Sequence, residues 1–210
     1  MLKATEKPSA PASLRHWLKH HTAAAHEALQ TSSLIKRLLE PDLSWPEYRD
    51  LLSRYYGFLE PLAPRLRAHA AGLPWAAFVE PALRLDELQR DLQTAAVAPE
   101  TLSRTDAGWL QPESPATAGV LYVLLGSTLG GKLISRALRQ SLRLAPERGC
   151  AYFAAMTADQ AGSWRHFLDQ LEQQPWSATD QEQLQTAALQ TFQHLQRQFD
   201  RRKTSRNRRS

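Results

Sequence analysis

A single cysteine, Cys150, in 210 residues excludes an internal disulfide. It fits a reducing compartment without requiring one. The opening residues, MLKATEKPSAPAS, lack the apolar core of a secretory leader. Long apolar runs are missing too: the longest, 118–125, is interrupted by Gly119 and falls far short of the roughly 20 residues of a membrane span. These absences predict a cytoplasmic protein with no membrane segment. Acidic residues are absent from the last ten positions, RRKTSRNRRS, which hold six cations. That tail accounts for more than the whole net charge of +5, so the body is close to neutral. Basic tails of this kind are usually solvated, and no nucleic-acid partner is expected.

Glycine is scarce, at 9 residues, and no stretch alternates as a half-buried strand does. Apolar residues instead recur every three to four positions, which predicts helices throughout. A hydrophobic fraction of 42% against 22% charged suits one globular core. The pattern gives helices over 13–30, 33–39, from 44 to about the prolines at 61 and 64, then 83–96, 117–144, 157–173 and 179–199. Ser13 and Ser44 suit N-caps, and Glu47 completes a capping box. Pro61 and Pro64 predict a kink or an early end, and 98–115 reads as a loop. The expected organisation is a disordered segment over 1–12, one all-α domain over 13–200, and a basic disordered tail over 201–210.

Two segments carry chemistry. On the first helix, Leu14, Leu18, Ala25, Ala28 and Leu29 make an apolar face, with His26 at its edge. Thr22 and Gln30 lie one turn to each side, and Lys19 and Arg15 continue the line. A half-sheltered neutral imidazole suits iron, and Gln30 or a backbone carbonyl could accept from its second nitrogen. Lys19 stands about 10 Å away along the axis, the span from a heme iron to the ends of its propionates. The competing reading is an ordinary, partly buried histidine. His16 and His20, four apart, form a possible surface pair for a divalent ion or are simply solvated. No zinc-site spacing is present, and His26-Glu27 lacks the second histidine of a zincin at Gln30.

The other segment is Tyr122 to Lys132, YVLLGSTLGGK. Each interior glycine costs a helix up to about 1 kcal/mol relative to alanine, so three within six residues call for compensation. Gly126 and Gly130 share a face where backbone could approach a flat ligand, with Ser127 beside it as a small hydrogen-bonding group. Close packing of two helices explains the same glycines equally well. The segment is not a phosphate loop, because the spacing is wrong and no strand precedes it.

Together these segments resemble the bacterial heme oxygenases, especially those associated with bacteriophytochromes. Leu18-Lys19-x-x-Thr22-x-x-x-His26 is similar to the family's proximal-helix motif, and Tyr122-Val123-Leu124-x-Gly126-Ser127-Thr128-Leu129-Gly130-Gly131 to its distal one. Weaker likenesses follow in order: 48–62, Leu85-x-x-Leu88-x-x-Asp91-Leu92, Gly162-x-Trp164-x-x-Phe167-x-x-x-Leu171, and 187–192. The resemblance spans roughly 13–199.

It implies a single-domain helical bundle with heme, at once substrate and prosthetic group, between a proximal and a glycine-kinked distal helix. It implies cleavage of heme with dioxygen to biliverdin, carbon monoxide and ferrous iron, with electrons from a ferredoxin-, flavodoxin- or reductase-type donor and a bacteriophytochrome as a possible recipient of biliverdin. By position, His26 becomes the iron's axial ligand. Gly126, Gly130 and Gly131 become distal backbone contacts, Ser127 lies near bound dioxygen, Thr22 lies beside the cofactor, and Lys19 and Arg165 face the propionates. Three positions depart from the pattern: Gln30 replaces a frequent glutamate, Leu125 another, and Ser127 the aspartate of the mammalian branch. A neutral Gln30 leaves the imidazole less electron-rich, and the distal water network must be built differently. These departures motivate an alternative, a heme carrier or sensor without turnover. Another enzyme on the scaffold, such as a thiaminase-like hydrolase, would want a carboxylate cluster that the glycine helix lacks.

Overall fold

The computed structural model describes residues 13–158 and 162–201; the predicted segment 1–12 and nearly all of the basic tail lie outside them. Among the described residues there are ten α-helices and no strand: α1 (Leu14–Gln30), α2 (Ser33–Arg37), α3 (Trp45–Ala70), α4 (Val79–Leu83), α5 (Leu85–Thr94), α6 (Ser114–Ser127), α7 (Gly131–Leu142), α8 (Ala151–Ala158), α9 (Gly162–Glu172) and α10 (Ala178–Asp200). The all-α expectation is met.

Caps set the first boundaries. The Ser13 hydroxyl accepts from the His16 backbone N–H and opens α1. Ser44 and Glu47 form the full capping box of α3, with Pro46 in its first turn. Of the kink or early end expected at Pro61 and Pro64, the early end does not occur: the helix runs to Ala70 with both prolines inside it. A buried stripe of Phe58, Leu59, Leu62, Ala63, Leu66 and Ala70 continues past both prolines. Burying such side chains yields about 1.5–3 kcal/mol each, enough to offset the donors that proline removes.

The middle of the bundle is the α6–α10 pair. From Pro115 to Leu125 every α6 residue except Tyr122 is buried. At Gly119 an added Cβ would lie 2.3 Å from the Leu184 carbonyl oxygen of α10, so the two backbones touch there. The stretch Ser114–Leu142 is long and apolar enough by composition to cross a membrane, but 56% of its most apolar window is buried in the bundle.

The single helix predicted over 117–144 is divided. α6 ends at Ser127, a 3-10 turn covers Thr128–Gly130, and α7 restarts at Gly131. The Ser127 and Thr128 hydroxyls each donate to a carbonyl three residues back, Leu124 and Leu125, both at 2.6 Å. Such back-bonding favours bending of a helix. Two short helices, α4 and α8, went unread in the sequence. α8 starts where the buried Asp91 carboxylate of α5 accepts from the Ala151 and Tyr152 backbone N–H groups at 2.7 and 2.9 Å. Burial raises the Asp91 pKa, and those two hydrogen bonds act against it. The Tyr48 hydroxyl donates to the Gly149 carbonyl at 2.7 Å and ties the same corner to α3.

Candidate functional site

α1 packs against α10 and α9. Leu14, Leu18 and Thr22 are its buried residues, while Ala25, Ala28 and Leu29 are half-buried. His26 is exposed rather than half-sheltered, because the C-terminal half of α1 lies at the rim of the bundle. Its ring meets Phe192 of α10 edge-on, with centroids 6.0 Å apart and planes at 79°. Among the described residues, neither ring nitrogen has a hydrogen-bond partner. The predicted acceptor, Gln30, is exposed and makes no such bond. Lys19 is exposed and pairs with no carboxylate among the described residues.

The other α1 histidines are occupied locally. His16 Nδ1 lies 3.1 Å from the Ser13 hydroxyl. His21 Nδ1 lies 2.8 Å from the Trp17 carbonyl, and His20 stands edge-on to His21. Among the described residues, no group of three or more histidine, cysteine or carboxylate side chains could hold a metal ion.

Thr22 is buried and donates to the Leu18 carbonyl at 2.8 Å. Burial raises the Tyr122 pKa on α6, and the nearby Thr22 hydroxyl acts against that rise. α1 and α6 therefore meet at Thr22 and Tyr122, and His26 and Gly126 each follow one turn later on their helices.

The glycines differ sharply. At Gly126, an added Cβ would sit 3.4 Å from Cη2 of Trp164. At Gly130 it would meet only the Ile134 Cδ1 atom, at 3.9 Å, so that face is open. At Gly131 it would lie 2.6 Å from Met156 Cβ and 3.2 Å from the Phe153 carbonyl oxygen. Gly131 thus lacks a side chain because α8 packs there, which is the helix-packing explanation realised at one position. Beside the open glycine, Leu129 and Leu133 are each 59% exposed, an apolar surface uncommon for leucine. Ser127 is exposed, but its hydroxyl is turned back to its own helix. Arg165, on α9, is exposed and adjoins Trp164.

Sequence reasoning gave no role to Tyr122, Trp164 or Phe192, although all three fall within the quoted likenesses. Tyr122 and Trp164 face each other at 5.4 Å. A surface depression of about 360 Å³ lies elsewhere, lined by Trp109, Glu113, Glu182 and Gln190 among others, and holds none of the predicted site residues.

A family model described as heme oxygenase matches residues 12–201. A curated heme oxygenase from Xanthomonas campestris pv. campestris (strain 8004) is 34% identical over 119 residues, 55% of this chain and 63% of the relative. The chain thus aligns with somewhat under two thirds of that relative's length. Among solved structures, heme oxygenase from Leptospira interrogans superposes with a TM-score of 0.77 at 21% identity, covering 90% of this chain and 98% of that one. Heme oxygenase-2 from Synechocystis sp. PCC 6803, in complex with heme and NO, gives 0.73 at 20% identity, over 90% and 84% of the two chains. Heme oxygenase-1 from the same cyanobacterium, in complex with heme, gives 0.68 at 16%, over 90% and 91%.

Proposed function

The chain belongs to the heme oxygenase family, and from that premise we propose that it binds heme through His26 and cleaves it to biliverdin, carbon monoxide and ferrous iron. The observation that carries this reading is His26 itself. It is an exposed imidazole, steadied by Phe192 and without a polar partner among the described residues. It sits one turn beyond the point where its helix meets the glycine-bearing helix. A neutral imidazole nitrogen free of other bonds is the donor that iron requires.

The residues present fit the group. Gly130 leaves open space, and the exposed Leu129 and Leu133 offer apolar surface that a porphyrin would cover. Lys19 and Arg165 are exposed cations, unpaired among the described residues, that could meet propionates. At Gly126 the missing side chain makes room for the Trp164 indole, so the open backbone on the distal side is that of Gly130. Thr22 holds α1 against Tyr122, and Gly131 seats α7 on α8, so both act on the shape of the cleft. Ser127 can orient a water or oxygen ligand only after its hydroxyl leaves the Leu124 carbonyl.

Bound heme supplies both the redox-active iron and the carbon skeleton that is oxidised. The chain would position it through His26 and the two cations, with Leu129 and Leu133 covering part of its apolar surface. The reaction consumes electrons, so an external donor of the ferredoxin, flavodoxin or reductase type acts with the protein. Lys132, Arg136 and Arg139 lie within about 60° of one another on α7, and Arg143 follows at its left-handed C-cap. All four are exposed, and none pairs with a carboxylate among the described residues. That line would attract an acidic donor. In this reading the protein works in the cytoplasm, and a bacteriophytochrome is a fitting recipient of biliverdin.

Titration with hemin followed by ascorbate or a ferredoxin-reductase system under air tests the proposal. A Soret band that decays into biliverdin absorbance is the expected result. A second reading, a carrier or sensor, draws on the neutral Gln30, the buried Leu125 and the internally bonded Ser127. It requires the heme spectrum to persist under reductant and air. Absence of any heme spectrum would sink both readings.

A further inference from the structure

We propose that Trp164 is a positioning residue that fixes the orientation of heme within its own plane, and so the meso carbon that is opened. The inference rests on the heme oxygenase reading above.

Three contacts place the indole. Its six-membered edge lies against Gly126, with Cη2, Cζ3 and Cζ2 at 3.4, 3.7 and 3.8 Å from where a Cβ would be. Its face meets Tyr122, one turn earlier on α6, at 5.4 Å and 54°. On its own helix it stacks on the buried Phe167 at 6.1 Å and 21°. The ring therefore packs along one face of α6, against Gly126 and Tyr122, and against Phe167 of its own helix. Trp164 remains half-buried, and its contact with Gly126 sets it beside the distal segment.

A porphyrin is nearly four-fold symmetric about its iron. Axial ligation by His26 therefore leaves the rotation of the ring about the iron–nitrogen axis undetermined. Contacts at the edge must determine it. Lys19 and Arg165 can select the propionate side, but both are long, exposed side chains with many rotamers. A Trp has two side-chain torsions, and this one is held on three sides. It is the stiff edge contact against which the porphyrin rim is set. Its neighbour Arg165 carries a cation on the same helix, so wall and anchor move together.

The test uses Trp164→Phe, Trp164→Leu and Trp164→Ala in the full chain, each checked for helical content by circular dichroism. Hemin affinity is read by Soret titration. In-plane orientation is read from the shifted heme methyl resonances of the ferric complex, without turnover, and biliverdin isomers are separated by chromatography. Phe should keep the wild-type methyl pattern and isomer. Leu and Ala should give a mixed methyl pattern and a mixed product, with affinity lowered by about tenfold for Ala. Leu keeps more of the packed apolar volume than Ala, so it decides the matter if Ala fails to fold. Wild-type methyl shifts and a single wild-type isomer in Leu or Ala, with turnover intact, would overturn the role of Trp164 while leaving the function standing. Failure of the wild-type chain to bind hemin would remove both.

Discussion

His26 touches Phe192 and, among the described residues, hydrogen-bonds nothing. A side chain so placed adds little to stability: surface substitutions stay within about 0.5 kcal/mol. His26→Ala should therefore shift the melting temperature by no more than about 2 °C while eliminating the histidine-ligated heme spectrum and biliverdin formation. Retained turnover in that variant would refute the ligand assignment. The sequence placed His26 on the correct helix and at the edge of the apolar stripe, because a helical wheel depends only on local geometry. It could not show that the ring is exposed, which depends on where α1 leaves the bundle. Gln30 illustrates the same limit. Its spacing from His26 allows a hydrogen bond, yet the exposed amide makes none.

Elements separate residues that look alike in one dimension. Gly130 and Gly131 are neighbours in a single motif, yet one faces open space and the other faces α8. Alanine at Gly130, where φ is −78°, meets no clash and gains up to about 1 kcal/mol of helix propensity. Its methyl group would nevertheless stand in the candidate cleft. Gly130→Ala should raise the melting temperature slightly and weaken hemin binding. Gly131→Ala should do the reverse, losing about 1–3 kcal/mol through overpacking on Met156 with less effect on affinity per molecule folded. Thermal melts and hemin titrations of the two variants check both halves, and equal behaviour would contradict the assignment of the two faces. Helix boundaries were legible where caps are local, as at Ser13 and Ser44. They were illegible where the determinant is distant: Asp91 starts α8 from sixty residues away, and a buried stripe carries α3 through two prolines.

At the scale of the whole molecule, acid and ligand act on the same bundle in opposite senses. Arg37 and the Ser44 cap hold the Glu47 pKa down at about 2. Ion pairing with Arg67 lowers that of Glu80, and the Ser177 cap lowers that of Asp180. A carboxylate with a depressed folded pKa gives stability that is present above its unfolded value and lost as pH falls through the folded one. Stability should accordingly decline from about pH 4.5 towards pH 2, in modest steps because these pairs are partly exposed and screened. Arg37→Gln should flatten part of that decline. Hemin should oppose unfolding at neutral pH if it binds the native state across α1 and the α6–α7 break, as proposed. At a hundredfold excess over Kd the gain is about 2.7 kcal/mol, or roughly 5–10 °C for a chain of this length. α1 packs on α10 and α9, so a ligand held by His26 and seated on Gly130 would add a link between α1 and the distal segment. His26→Ala should keep the apo melting temperature and lose most of the hemin-induced rise. A full rise in that variant would mean that hemin binds elsewhere on the molecule.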